Sequence, residues 1–200
     1  PKWRYGKRLL WEGRDDWGVV EVVAGRLGAA LHFGNRALQG RISLSEPWRP
    51  VAEYAMTMAG LVAFPSPQSR SKTSDLPPRP QVCLLGLGTG SLAWTYHYLL
   101  PHAELIALEL RPAVIEAARE CLRLNELTQL KVIEGDALTS ISMLPERSQT
   151  LMAIDLFNDQ GMAEVLHKTE LWRQVSRVLH PSGALCLNAW SGQIELLRSL

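Results

Sequence analysis

The sequence predicts an α/β fold, an open parallel sheet with helices on both faces, preceded by a small antiparallel β part. Three observations carry this reading. From Gln81 onward, short apolar runs alternate with segments of helical period, as successive βαβ units require. The first run, Val82-Cys83-Leu84-Leu85, is unbroken and apolar, like a strand buried on both faces, and it leads straight into Gly86, Gly88 and Gly90. Between Trp17 and Phe33, two β-rich runs flank a glycine-containing turn, which reads as an antiparallel hairpin.

In chain order, Tyr5 to Trp11 supplies a further strand, so residues 1–45 form a small N-terminal β region with a sheet reaching about Arg41. Three of the seven tryptophans fall at Trp3, Trp11 and Trp17, so this sheet is expected to bury an apolar face on the larger domain or on a second subunit. Residues 46–80 hold a connecting helix from about Pro50 to Ala63, with Val51, Tyr54, Ala55, Met58, Leu61 and Val62 at helical spacing. The Pro- and Ser-rich stretch 65–80 follows and is expected to be a mobile surface loop. Residues 81–200 form the main domain. A helix after the glycines ends near Leu100 at Pro101, Leu105 to Leu110 is the second strand, and Pro112 opens the next helix. Leu130 to Glu134 and Leu151 to Ile154 are the third and fourth strands. Leu171, Val175, Val178 and Leu179 mark a helix with Thr169 as its N-cap; His180 to Gly183 ends it, and Ala184 to Leu187 is the fifth strand.

Composition narrows the function. The chain has 200 residues, 46% hydrophobic, and a formal net charge of +1, with no basic stripe, so nucleic acid is not expected as a partner. The basic opening Pro1 to Arg8 lacks the apolar run of a signal peptide, and no stretch reaches transmembrane length, which predicts a soluble, cytoplasmic protein with no membrane partner. Cys83, Cys121 and Cys186 lack the spacing of a zinc or redox motif and read as reduced thiols; the five histidines show no ligand pairing, so no metal is expected.

In an open α/β sheet the ligand lies beyond the carboxyl ends of the strands, which gives weight to polar residues there. Gly86, Gly88 and Gly90 form G-x-G-x-G. A dinucleotide fingerprint places its third small residue one position later, where Ser91 stands. The alternate spacing resembles the Rossmann-like methyltransferase superfold, whose loop passes beneath the amino-acid part of S-adenosylmethionine (AdoMet); a nucleotide site and a structural turn are the alternatives. Glu109, near the end of the second strand, is placed to accept from both ribose hydroxyls. Asp136, in Gly135-Asp136-Ala137, can accept from an adenine amine beside a backbone N–H, and can equally cap the following helix. Asp155 closes the fourth strand, where an aspartate needs a cation or a proton donor. Asn158 and Asp159 follow within reach of the same place.

Taken together, L-L-G-L-G-T-G-S-L, A-L-E-L-R-P-A-V-I, V-I-E-G-D-A, I-D-L-F-N-D-Q-G and L-H-P-S-G-A-L resemble, in order and spacing, the spermidine-synthase-like (polyamine aminopropyltransferase-like) group of the AdoMet-dependent methyltransferase superfold. The likeness runs from about Trp17 to Trp190. It implies strand order 3-2-1-4-5 and AdoMet or decarboxylated AdoMet as the bound donor. It also implies Gly86, Leu87, Gly88, Thr89 and Gly90 under the sulfonium tail, Glu109 on the ribose, and Asp136 with Ala137 on the adenine. Asp155, with Asp159, would bind or deprotonate an amine, and Gln39, Tyr54 and Asn158 would line the acceptor site. A homodimer through the N-terminal sheet is implied as well.

Departures bear on the activity. The family's acid inside the glycine loop is here Thr89, the second acid of its D-x-x-D is Asn158, and its tyrosine-histidine-glutamate cluster is reduced to Tyr54. Its pattern also continues into two more strands, so the sequence reads as truncated relative to it, or as a sheet closed differently. The expected function is an AdoMet-dependent transferase, with methyl transfer to an amine or similar nucleophile first. Polyamine aminopropyl transfer from decarboxylated AdoMet is an alternative, and a non-catalytic scaffold a further one. The acceptor would be a small amine, a polyamine or a protein amine.

Overall fold

The computed structural model describes residues 2–26, 28–63, 79–158 and 160–189. Strands β1 (Trp3–Arg4), β2 (Lys7–Asp15), β3 (Gly18–Gly25), β4 (Gly28–His32) and β5 (Leu38–Ile42) form an antiparallel meander in chain order. Val20, Val22 and Leu31, on β3 and β4, are fully buried, because one face of this sheet packs against the rest of the molecule. The tryptophans divide: Trp11 packs inward with its Nε1 donating to Glu120 at 2.8 Å, whereas Trp3 and Trp17 are exposed.

Helix α1 (Glu53–Ala59) continues into a 3-10 turn, Gly60–Ala63. It is shorter than the expected span from Pro50, because Ala52 keeps an extended backbone and the helix begins only after it. Of the Pro- and Ser-rich stretch, residues 64–78 lie outside the described residues.

The second sheet is parallel. Its strands are β6 (Gln81–Leu85), β7 (Glu104–Glu109), β8 (Leu130–Glu134), β9 (Gln149–Ile154) and β12 (Leu179–Leu187), in the order β12-β9-β6-β7-β8. Numbered from β6 as first, that is 3-2-1-4-5 read from the β8 edge. Helices α2 (Ser91–Leu99), α3 (Pro112–Cys121), α4 (Ala137–Ser142) and α5 (Thr169–Val178) cover it. The two-residue period of a strand divides β6 between two apolar layers. Val82 and Leu84 face a core shared with α1, α2, α3 and the N-terminal sheet, while Cys83 and Leu85 face one built with Ile141, Met152, Leu171 and Val175. Each such leucine contributes about 1.5–3 kcal/mol by leaving water, which is why the central run contains no polar residue.

Three local details differ from expectation. Thr169 is the first helical residue of α5; the cap position is Lys168, with an extended backbone and no side-chain capping bond. His180 to Gly183 is not a loop before the fifth strand: β12 already begins at Leu179, and its pairing with β9 shifts register between Leu179 and Ala184. The loop after β9 contains a short antiparallel pair, β10 (Phe157–Asn158) and β11 (Gly161–Met162), too brief to leave a periodic trace in sequence. Asp159 and residues 190–200 lie outside the described residues.

Candidate functional site

The carboxyl ends of β6, β7, β8 and β9 open onto a pocket of about 380 Å³. Its floor begins at the glycine loop. The Gly86 N–H donates to the Leu108 carbonyl at 2.9 Å, and a Cβ on Gly86 would sit 2.2 Å from the Asp155 carbonyl oxygen, at a φ of +94°. Only glycine lets β6 and β9 approach so closely at the site. Gly88, at φ +53°, faces open space on the pocket side, so the backbone itself forms the wall. Gly90 plays a different part, since it occupies the N-cap position of α2 and does not belong to the pocket lining.

Glu109 ends β7 with its side chain buried among backbone donors. Its Oε2 accepts from the Leu87 N–H at 2.9 Å and, more weakly, from Gly88 at 3.4 Å; its Oε1 accepts from the Arg111 N–H at 2.9 Å. Burial pushes its carboxyl above the ordinary range, and the three backbone bonds and the Arg111 charge oppose that shift. Each carboxylate oxygen keeps accepting capacity toward the pocket that Glu109 lines. Asp136, at the end of β8, caps α4, its Oδ1 accepting from Leu138 N–H at 3.0 Å and Thr139 N–H at 3.2 Å. Asp136 and Ala137 also line the pocket, so capping leaves one carboxylate oxygen available to it.

Asp155, after β9, sits opposite α1. The Asn188 side-chain amide donates to its Oδ1 at 2.9 Å, and the Tyr54 hydroxyl hydrogen-bonds the same carboxylate. Burial raises the Asp155 carboxyl, while Asn188 and then Tyr54 pull it back. Burial, reinforced by the Asp155 charge, also raises Tyr54 far above an ordinary phenol, so Tyr54 is the donor of that bond. The result is a carboxylate that accepts from Asn188, with the Tyr54 hydroxyl beside it, at the edge of an open pocket, where it can accept a hydrogen bond or a proton.

Thr89, at the loop position where the family pattern has an acid, packs against β5. It is 4% exposed, its hydroxyl is directed at the Arg41 carbonyl at 3.4 Å, and its methyl lies where a Cβ on Gly40 would touch it. The N-terminal sheet thus holds Thr89, although the residue still borders the pocket. Gln39 and Tyr54 line the pocket, as does Asn158, whose Oδ1 accepts from the Gln160 N–H at 2.9 Å and so shapes the β10–β11 turn. Asp159 lies outside the described residues.

Several lining residues escape sequence reasoning. Trp17 and Phe33 come from the N-terminal sheet and share a wall with Glu109, Leu110 and Arg111. Ala163, Glu164, Val165 and Lys168, around a 3-10 turn at Glu164–His167, form another. Asn188 also escapes it, yet this residue stands directly after β12 and obeys the same strand-end rule that finds Glu109, Asp136 and Asp155. Among the described residues no group of three histidines, cysteines or acids is arranged to hold a metal ion, and no helix is long and apolar enough to cross a membrane.

Comparison with known proteins bears on family and fold. Residues 79–199 match the Methyltransferase domain family. The polyamine aminopropyltransferase of Chromobacterium violaceum is 26% identical over 164 residues, covering 82% of this chain and 58% of that protein. Its counterpart from Neisseria meningitidis is 27% identical with the same coverage. The chain thus spans less than two thirds of the length of these curated relatives. The crystal structure of a probable spermidine synthase from Corynebacterium glutamicum superposes with a TM-score of 0.74 at 19% identity, over 90% of this chain and 63% of that one. These matches bear out the family resemblance read from the motifs and the α/β fold that went with it.

Proposed function

The chain belongs to the Methyltransferase domain family, and from that premise we propose that it is a spermidine-synthase-like transferase that alkylates an amine from a sulfonium nucleoside, AdoMet or its decarboxylated form. One observation carries the reading: Asp155, held by Tyr54 and Asn188, faces the pocket whose floor is the glycine loop and whose wall holds Glu109. In this proposal Glu109 accepts from the ribose hydroxyls, Asp136 and the Ala137 N–H meet the adenine edge, and the loop from Gly86 to Thr89 runs beneath the sulfonium tail.

The donor supplies a carbon made electrophilic by positively charged sulfur, and that carbon's bond to sulfur breaks as the new carbon–nitrogen bond forms. The chain's residues handle the amine. An ammonium has no lone pair with which to attack, so it must lose a proton first; Asp155 accepts it as general base, and the resulting carboxyl is tolerated because burial already favours its neutral form. Tyr54 and Asn188 fix the orientation of the carboxylate, and Gln39 borders the acceptor end.

Aminopropyl transfer is the first reading. The curated relatives are polyamine aminopropyltransferases, and Gln39, Tyr54 and Asp155 share one pocket. A specific observation favours methyl transfer as a second: at the loop position where an acid would meet an aminopropyl ammonium, buried Thr89 is directed at the Arg41 carbonyl. Mass spectrometry of products decides between them. Putrescine, spermidine and agmatine are incubated with each donor in turn. Aminopropylated product from decarboxylated AdoMet supports the first reading, methylated product from AdoMet the second, and no product with either donor and any amine contradicts the proposal.

A further inference from the structure

We infer that Arg111 is a positioning residue for donor binding, clamping the N-terminal hairpin to the end of β7 so that Glu109 and the glycine loop present a fixed face to the nucleoside. The inference rests on the donor reading proposed above and extends it to a pair of residues 96 positions apart in sequence. The Arg111 guanidinium donates from Nη2 to Asp15 Oδ1 at 2.8 Å and from Nε to Asp15 Oδ2 at 3.1 Å. Nη2 also donates to the Gly18 carbonyl at 3.0 Å, and the guanidinium carbon lies 4.3 Å from the centre of the Phe33 ring. Both side chains are almost fully buried, at 9% and 3% exposure. Asp15 in turn accepts from the Trp17 N–H at 3.0 Å, which fixes the turn that carries Trp17.

The other end of Arg111 reaches the site. Its N–H donates to Glu109 Oε1, and its carbonyl accepts from Val114 and Ile115 at the start of α3. It precedes Pro112 and so keeps an extended backbone, leaving the guanidinium as its anchor. Glu109 passes the constraint on through Oε2 to Leu87 and Gly88. Hairpin, strand end and glycine loop are therefore linked by one chain of hydrogen bonds, and Trp17, Phe33 and Glu109 border the same pocket. Stability alone is a poor reason for such a pair, because a buried ion pair is commonly matched or bettered by apolar residues of similar volume. Its planar, bidentate geometry instead fixes an orientation, which an apolar pair cannot do.

The test uses calorimetric titration with methylthioadenosine, the nucleoside unit contained in both AdoMet and decarboxylated AdoMet and the one released by aminopropyl transfer, together with thermal melting. The variants are Arg111→Met, Arg111→Lys, and the apolar pair Asp15→Leu with Arg111→Met. The apolar pair is expected to melt close to the wild type yet bind methylthioadenosine at least about fivefold more weakly, the lower end of ordinary site-to-site coupling. Arg111→Lys is expected to recover part of the affinity lost in Arg111→Met. Unchanged affinity in the apolar pair overturns the inference and leaves the donor reading standing. Failure of the wild type to bind methylthioadenosine overturns the donor reading itself.

Discussion

Replacing Asn188 with alanine removes the 2.9 Å donor to Asp155 Oδ1 and leaves Tyr54 as the remaining side-chain donor to that carboxylate among the described residues. A hydrogen bond to a charged acceptor is worth about 1.5–3 kcal/mol. Each pH unit corresponds to about 1.36 kcal/mol, so the full loss would raise the Asp155 carboxyl by about one to two units. Asp155 borders an open pocket from which water can replace part of the lost bond, so the expected shift is about one unit. The direction is fixed: the carboxylate must be ionised to act as base, its carboxyl is already raised by burial, and losing a donor raises it further. The assay is kcat/KM against pH with donor below saturation, where the acidic limb reports the free enzyme's base. In Asn188→Ala that limb moves upward by about one unit, and the plateau above it changes little. A uniform fall in rate with the limb in place would refute the assignment of Asp155 as base under Asn188 control.

Tyr54→Phe removes the other donor and should move the same limb upward; it should also slow turnover about tenfold, equivalent to about 1.4 kcal/mol, while leaving methylthioadenosine affinity unchanged by calorimetry. Glu109 and Asp155 both have raised carboxyls, so the folded protein holds protons that the unfolded chain releases, and their contribution to stability is greatest at low pH and declines as pH rises through the folded values, in a window opening near about pH 4. Asp155→Asn should therefore flatten part of the fall in melting temperature with rising pH, as read by scanning calorimetry on the unliganded protein. Gly86→Ala puts a methyl 2.2 Å from the Asp155 carbonyl oxygen at a φ of +94°, and backbone strain alone should cost about 1–3 kcal/mol in urea denaturation. An unchanged midpoint would show that β6 and β9 are not so closely apposed.

Local, one-dimensional signals account for what can be read directly. Val82–Leu85 is legible almost to its limits because a strand buried on both faces needs consecutive apolar residues and ends where they end; the observed strand adds only Gln81 at its start. The glycine loop and the acids Glu109, Asp136 and Asp155 follow a rule of position along single strands, and the structure gathers them around one pocket. Side-chain direction is not legible in the same way. Thr89 can be read as a lost acid, but its approach to the Arg41 carbonyl depends on how the N-terminal sheet docks. The Asp15–Arg111 pair joins residues that no periodic pattern connects. Trp17 and Phe33 show only as apolar positions of a hairpin, and their place in the pocket follows from packing across two sheets. Asn188 is within reach of sequence reasoning, because it follows the fifth strand just as Asp155 follows the fourth.

The most direct test of the central claim is calorimetric titration of methylthioadenosine into the wild type and into Glu109→Gln, with the melting temperature of each recorded. Stoichiometric binding to the wild type that weakens at least about tenfold, or about 1.4 kcal/mol, in a folded Glu109→Gln is the predicted result. Absence of binding to the wild type, or equal affinity in the two proteins, would contradict the assignment of this pocket to a sulfonium nucleoside.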